Sequence, residues 1–325
     1  MRLLRLSLAL SVFAASTAQA DYPEAVRDVL TPGYVAFEIA ALQLAATAQQ
    51  SCDAEVIIPA LHAAFDAWLS VAAIKIGPVE QDGMGLAIAY WPDPKGLGAK
   101  AQRSLLTASP EDLLPENFEH QSVAARGLMG LERLLWPNSA LKSAPCPLIR
   151  ATADDLARMS SLIRNNWESA FAETILAAGT PQNSTFLTRS EVRQALFTQI
   201  DAELSFDRDQ RLGRPLGSFE RPRPELAEAR ASGRSLRNVT LSLRALRALS
   251  ESLTPDIPKT LEAFDHAILL AEELNDPTFE GVADPATRLK VEILQQAVNS
   301  VQQVARQELA RDLDVDLGFN AADGD

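Results

Sequence analysis

Cysteine, histidine, aromatic residues and β-type patterning are all scarce here. Each shortage excludes something. Two cysteines cannot build a disulfide-dense scaffold. The three histidines, His62, His120 and His266, form no His-x-x-x-His or His-x-x-Glu-His arrangement, so no zinc-peptidase motif is present. No P-loop glycine pattern and no Gly-x-Ser-x-Gly nucleophile elbow occur, which leaves neither a nucleotide cradle nor an activated serine. Aromatics make up 6% of the chain, and alternating β-branched runs are missing, so a sheet is not expected. Basic residues are outnumbered, 30 Lys+Arg against 43 Asp+Glu. An acidic chain of this kind is a poor binder of nucleic acid or anionic lipid heads.

What is present begins at the amino terminus. Arg2 and Arg5 precede an uncharged apolar run at 6–15, and Ala18-Gln19-Ala20 supplies small residues for a signal peptidase. This reads as a cleavable secretory signal cut before Asp21. The run is too short for a stable bilayer anchor. No cysteine follows the cut, so a lipidated terminus is not expected. The other reading of the segment is a buried amphipathic first helix. Removal of residues 1–20 leaves 305 residues and moves the formal net charge from −13 to −15, since only Arg2 and Arg5 are lost. No later apolar stretch reads as a membrane span. In the oxidising compartment that export implies, Cys52 and Cys146 are expected to form one disulfide.

The mature chain reads as helical nearly throughout, and the fold class is all-α. Helices are expected at 34–49, from Pro59 to a stop at Gly77-Pro78, and at 118–136, 152–178 and 191–211. Three more are expected at 235–252, 258–274 and 285–312. The last carries an apolar stripe of Leu289, Ile293, Val301, Val304 and Leu309. Residues 77–98 are rich in Gly and Pro and read as a structured loop. The Thr-Pro-Gln-Asn-Ser stretch at 180–184 divides the chain into bundles 21–180 and 181–325.

Five segments in consistent order carry a family resemblance. They are Lys75-Ile76-Gly77-Pro78-Val79, Tyr90-Trp91-Pro92-Asp93-Pro94-Lys95-Gly96, SVAARGLMGLERLLWP at 122–137, SGRSLRNVTLSLRAL at 232–246, and DLGFNAADGD at 316–325. The chain resembles the imelysin family of exported helical proteins, also called M75 peptidases. The resemblance implies two helical bundles from a duplication with a functional cleft where they meet. Onto that cleft fall Trp91, Asp93, Ser122, Gly127, Met129, Glu132, Arg234, Ser235 and Asn238. Ser122 and Ser235 are each read as beginning a helix.

The family's Gly-x-His-x-x-Glu signature keeps its glycine and glutamate here, as Gly127 and Glu132, but Met129 stands where the histidine would be. A thioether is a poor ligand for ferric iron or zinc, so the metal reading is weakened at this motif. The chain resembles a branch that lacks this histidine. Metal candidates are Glu132, Asp93, Asp207 and His120, with Glu203 four residues before Asp207 on one helix face. A solvated acidic face is the competing reading of the carboxylates, and a surface role that of His120. The Trp91-Pro92-Asp93-Pro94 loop can face a cleft or serve as a structural plug. Arg234, Arg237 and Asn238 could bind an anionic ligand or pair with Glu132. The functional expectation is an exported imelysin-like protein that binds a ligand or metal ion, iron included, as an accessory in iron uptake. The alternatives are an M75-type metallopeptidase and a non-catalytic envelope scaffold that binds another protein. The label of peptidase transfers poorly, because no catalytic or zinc motif accompanies it.

Overall fold

The computed structural model describes residues 21–136 and 146–316. The expected signal at 1–20, the stop at Pro137 and all but the first residue of the 316–325 segment lie outside the described residues. The described residues are helical without any β-strand, apart from an isolated bridge between Ser218 and Arg221.

Helix α1 (Tyr22–Gln50) opens on a capping box, in which Asp21 accepts from backbone N–H groups and Glu24 reaches back to the Asp21 amide. By length and composition alone α1 is long and apolar enough to cross a membrane, which corrects the expectation that no later stretch is. Its Tyr34, Phe37, Ala41, Leu44 and Ala48 are buried, and it packs against α2 (Ala54–Leu69) and α6 (Cys146–Asn166). That is how a central core helix behaves.

Helix α2 starts five residues before Pro59, because Asp53 caps it by accepting from the Glu55 amide at 3.0 Å. Proline therefore sits inside the helix rather than opening it. A buried stripe of Ile57, Leu61, Ala64, Phe65 and Trp68 runs past it and holds both sides in register. The helix also ends earlier than expected, at Leu69, where consecutive tight turns bury Val71 and Ile74.

The Gly/Pro-rich stretch holds α3 (Met84–Ile88) and leads to α4 (Leu97–Leu105). Between them the Trp91–Pro92 peptide is cis. The expected helix at 118–136 is broken. Only α5 (Gly127–Leu135) forms, preceded by a 3₁₀ turn at Val123–Ala125, so Ser122 begins no α-helix. Two residues cause the break. Arg126 is extended and buried, bound to both oxygens of Asp155 at 2.7 and 3.0 Å and to the Glu119 carbonyl at 2.8 Å. Gly127 has φ +63°, and a Cβ there would run into the Ala87 and Ile88 carbonyls of α3.

Helix α6 continues through a π-turn at Trp167–Phe171 to Leu176. The stretch at 180–184 is a turn region in which Gly179 donates to the Phe186 carbonyl. Helix α7 (Arg189–Phe206) runs on through a second π-turn, Asp207–Leu212, as far as Leu216, beyond its expected end. Then come α8 (Ser235–Leu253), α9 (Pro258–Glu273) and α10 (Pro285–Gln307). The buried row of α10 is Val291, Leu294, Val298, Val301 and Ala305, whereas Leu289 and Ile293 face solvent. The helix carries two apolar rows, and the buried one is this row. Helix α9 lies between α8 and α10, and α8 also contacts α1 and α2. Buried apolar residues from Tyr22 to Leu313 make one continuous core cluster.

The expected disulfide is present. It joins Cys52, between α1 and α2, to Cys146 at the start of α6, with Cα atoms 5.4 Å apart.

Candidate functional site

A cavity of about 470 Å³ opens between α2, the 77–91 segment, the π-turn of α7 and the start of α8. Its walls come from both sides of the expected boundary at 180–184. Phe65, Trp68 and Leu69 line it from one face of α2, and Ala72 from the turns that follow. Val79, Leu86, Ala89 and Trp91 close it from the Gly/Pro-rich stretch, and Phe206 faces Trp91 edge-on with ring centroids 5.8 Å apart.

The polar end is built around Arg211, which is 4% exposed. Its Nε donates to Glu228 at 2.8 Å and its Nη1 to Glu203 at 2.7 Å, with Asp207 and Ser242 also bound. Lys75 donates to the second oxygen of Glu203 at 2.7 Å. Asn238 donates from Nδ2 to Glu228 at 3.0 Å. Lys75 and Arg211 each lie 4.9 Å from the centroid of Phe206.

Three carboxylates around one guanidinium bring the residues close enough to shift one another. Burial works against the Glu203 charge, yet Arg211 and Lys75 outweigh it and hold that carboxyl below its ordinary value. Asp207 has no such second cation. Burial, together with the neighbouring Glu203, pushes it up to about 7 against the pull of Arg211. Burial opposes the charge on Arg211 too, but Glu228, Asp207 and Glu203 raise its pKa well above the ordinary value.

Trp91 and Asn238 are the expected cleft residues that line this cavity. Glu132 is not among its lining residues. It is 5% exposed and accepts from the Ser232 amide at 2.9 Å and the Ser232 hydroxyl at 2.7 Å. Its partner is thus serine, not the arginine expected. Burial raises its pKa, and the Ser232 bonds oppose the shift. Arg234 is buried against Asp66 and His62, and Arg237 shares Asp66. Burial followed by Arg234 lowers the His62 pKa.

The remaining candidates have other tasks. Asp93 accepts from the Leu97 and Gly98 amides, both at 2.8 Å, and so fixes the start of α4. The Ser235 hydroxyl donates to the Glu228 carbonyl at 2.6 Å and steadies that residue. Met129 is buried in the core. Gly127 permits the close approach of α3 and α5. Ser122 is exposed, and so is His120, whose only ionic neighbour among the described residues is Glu119 at 3.7 Å.

A metal does not fit these donors. The signature offers a buried thioether and a carboxylate already held by Ser232. Glu203 and Asp207 do share a helix face, but it is a buried face turned to Arg211, not a solvated one. Among the described residues no three His, Cys, Asp or Glu side chains are grouped to hold a metal ion.

The comparisons with known proteins agree with this architecture. The family model described as Imelysin, of the peptidase M75 family, matches residues 30–305. The chain belongs to the imelysin family. A solved imelysin-like protein from Psychrobacter arcticum superposes with TM-score 0.74 at 19% identity, over 93% of this chain and all of that one. A protein from Parabacteroides distasonis described as an iron-regulated protein A precursor gives TM-score 0.68 at 14% identity, over 90% of this chain and 97% of that one. Both likenesses concern the fold. No curated protein matches the chain.

Proposed function

We propose that this imelysin family member is exported and binds a small organic ligand in the cavity between α2 and α7, as an accessory in iron acquisition. The observation that carries the reading is the cavity itself, about 470 Å³ with apolar walls and one polar end. That size and composition suit a small molecule rather than a bare ion. The link to iron rests on the description of the Parabacteroides distasonis relative.

Export is supported by the signal-like pattern at 1–20 and by the disulfide, which oxidising compartments maintain. Asp21, next to the expected cut, caps α1 and pairs with Arg193 at 2.8 Å, so cleavage there leaves the fold's first contacts in place. In the same reading 21–180 and 181–325 are two units that together enclose the ligand.

The test is native mass spectrometry of protein purified from the periplasm, beside an Ala89→Trp variant that adds bulk to the cavity wall. A small molecule carried by the native chain and lost from the variant supports the proposal. Stoichiometric iron bound without any organic molecule would overturn it. So would normal growth of a deletion strain under iron limitation, for the accessory role. Intact mass should place the mature terminus at Asp21.

A further inference from the structure

The polar end of the cavity holds hydrogen-bonding capacity that the fold itself leaves unused. We infer that the cavity takes an α-amino acid with an apolar side chain, its carboxylate received by Lys75 and Arg211 and its ammonium group by Glu228. This rests on the proposal that the cavity binds a small ligand at all.

Three observations carry it. First, donors are left over on both cations. A lysine ammonium has three N–H groups. Lys75 lines the cavity with its side chain 53% exposed, and its one hydrogen-bonded side-chain partner is Glu203. Arg211 spends Nε and Nη1 on Glu228, Glu203, Asp207 and Ser242, whereas Nη2 makes no hydrogen bond among the described residues. The two cations hold opposite oxygens of the Glu203 carboxylate, each at 2.7 Å. Their spacing is therefore one that a carboxylate bridges. A ligand carboxylate can bridge them again with the donors that remain.

Second, one acceptor is idle. Glu228 is 6% exposed and lines the cavity. Its Oε2 accepts from Arg211 and Asn238, but Oε1 accepts from no described residue. Neither Oε1 nor Arg211 Nη2 is fully occluded, and the cavity is the opening that both residues line. A carboxylate oxygen without a donor suits an ammonium group, because charge-assisted hydrogen bonds are the strong ones. An anion that donates nothing would face this oxygen unpaired. A cation that accepts nothing would leave Lys75 and Arg211 unserved.

Third, the charges already balance. Lys75 and Arg211 stand against Glu203 and Glu228, and Asp207 takes up its proton near pH 7. A zwitterion keeps that balance, whereas an ion of either sign adds a net charge to a partly buried site. Phe65, Trp68, Leu69, Val79 and Trp91 are left to receive an apolar side chain.

Calorimetric titration of the mature chain with tryptophan, indole-3-propionate and tryptamine tests this, since the three share one apolar body. Tryptophan is expected to bind about tenfold or more tightly than either analogue, the ratio that one charge-assisted hydrogen bond supplies. Lys75→Met is expected to weaken tryptophan and indole-3-propionate by about tenfold without weakening tryptamine. Should that variant not fold, the comparison of the three molecules on the native chain still decides. Equal affinity for tryptophan and either analogue, or tryptophan binding undiminished in Lys75→Met, would overturn the assignment. If none of the three binds, the amino-acid head is wrong. The cavity reading would nevertheless stand if a native small molecule is still lost from Ala89→Trp.

Discussion

Asp207 is the least comfortable carboxylate in the molecule. It is fully buried beside Glu203 and raised to about 7 from an ordinary 3.8. Between those pH values the folded chain keeps a proton that the unfolded chain has lost. Its contribution to stability therefore falls as pH rises from about 4 to about 7 and levels off above. Glu203, with its pKa lowered, acts in the opposite direction at the acid end, where stability drops as it protonates. Asp207→Asn should flatten the part of the melting profile between pH 4 and 7, readable as Tm across buffers. An unchanged slope would show that this carboxyl does not titrate there. Glu132 offers a second test. Glu132→Ala leaves the half-buried Ser232 amide without its acceptor and should lose about 1–2 kcal/mol in urea unfolding. Glu132→Gln keeps an acceptor oxygen and removes the buried charge, so it should stay within about 1 kcal/mol of the native chain.

At the scale of elements, most helices were legible because their apolar residues recur with helical spacing. The boundaries were not, since they depend on contacts that a sequence does not display. Nothing around Pro59 reveals that Asp53 has already capped α2. The break before α5 comes from Arg126 reaching Asp155 in another helix. Gly127 is demanded there by the carbonyls of α3, so Gly127→Ala should destabilise the chain by about 2 kcal/mol or more in chemical denaturation. The polar end of the site was half legible. Glu203 and Asp207 stood out by spacing, and Arg211 continues the same four-residue step. That run could have been read as a buried charged stripe rather than an acidic face. The π-turn at Asp207–Leu212 brings these groups to the cavity, and such turns favour functional sites. Glu228 lies in a stretch without helical periodicity, and only the fold brings it to Arg211.

For the whole molecule, the disulfide closes a loop of 94 residues that includes α2 to α5. Loop entropy assigns such a closure about 4.7 kcal/mol, so Cys52→Ser or reduction should lower Tm clearly, and an unaltered Tm would contradict the value from chain entropy. The all-α class and the family were legible from composition and five short segments. The ion-paired polar end of the cavity was not, because it depends on charges drawn from distant parts of the chain.

The walls have one practical consequence. Of the four tryptophans in the chain, Trp68 and Trp91 border the cavity, whereas Trp167 is packed in the core and Trp136 stacks edge-on to His62. Half of the chain's indoles therefore sit at the cavity wall. An arriving molecule displaces whatever solvent those rings see, and the spectrum moves with it. The protein carries its own optical gauge of occupancy, readable without label or tag.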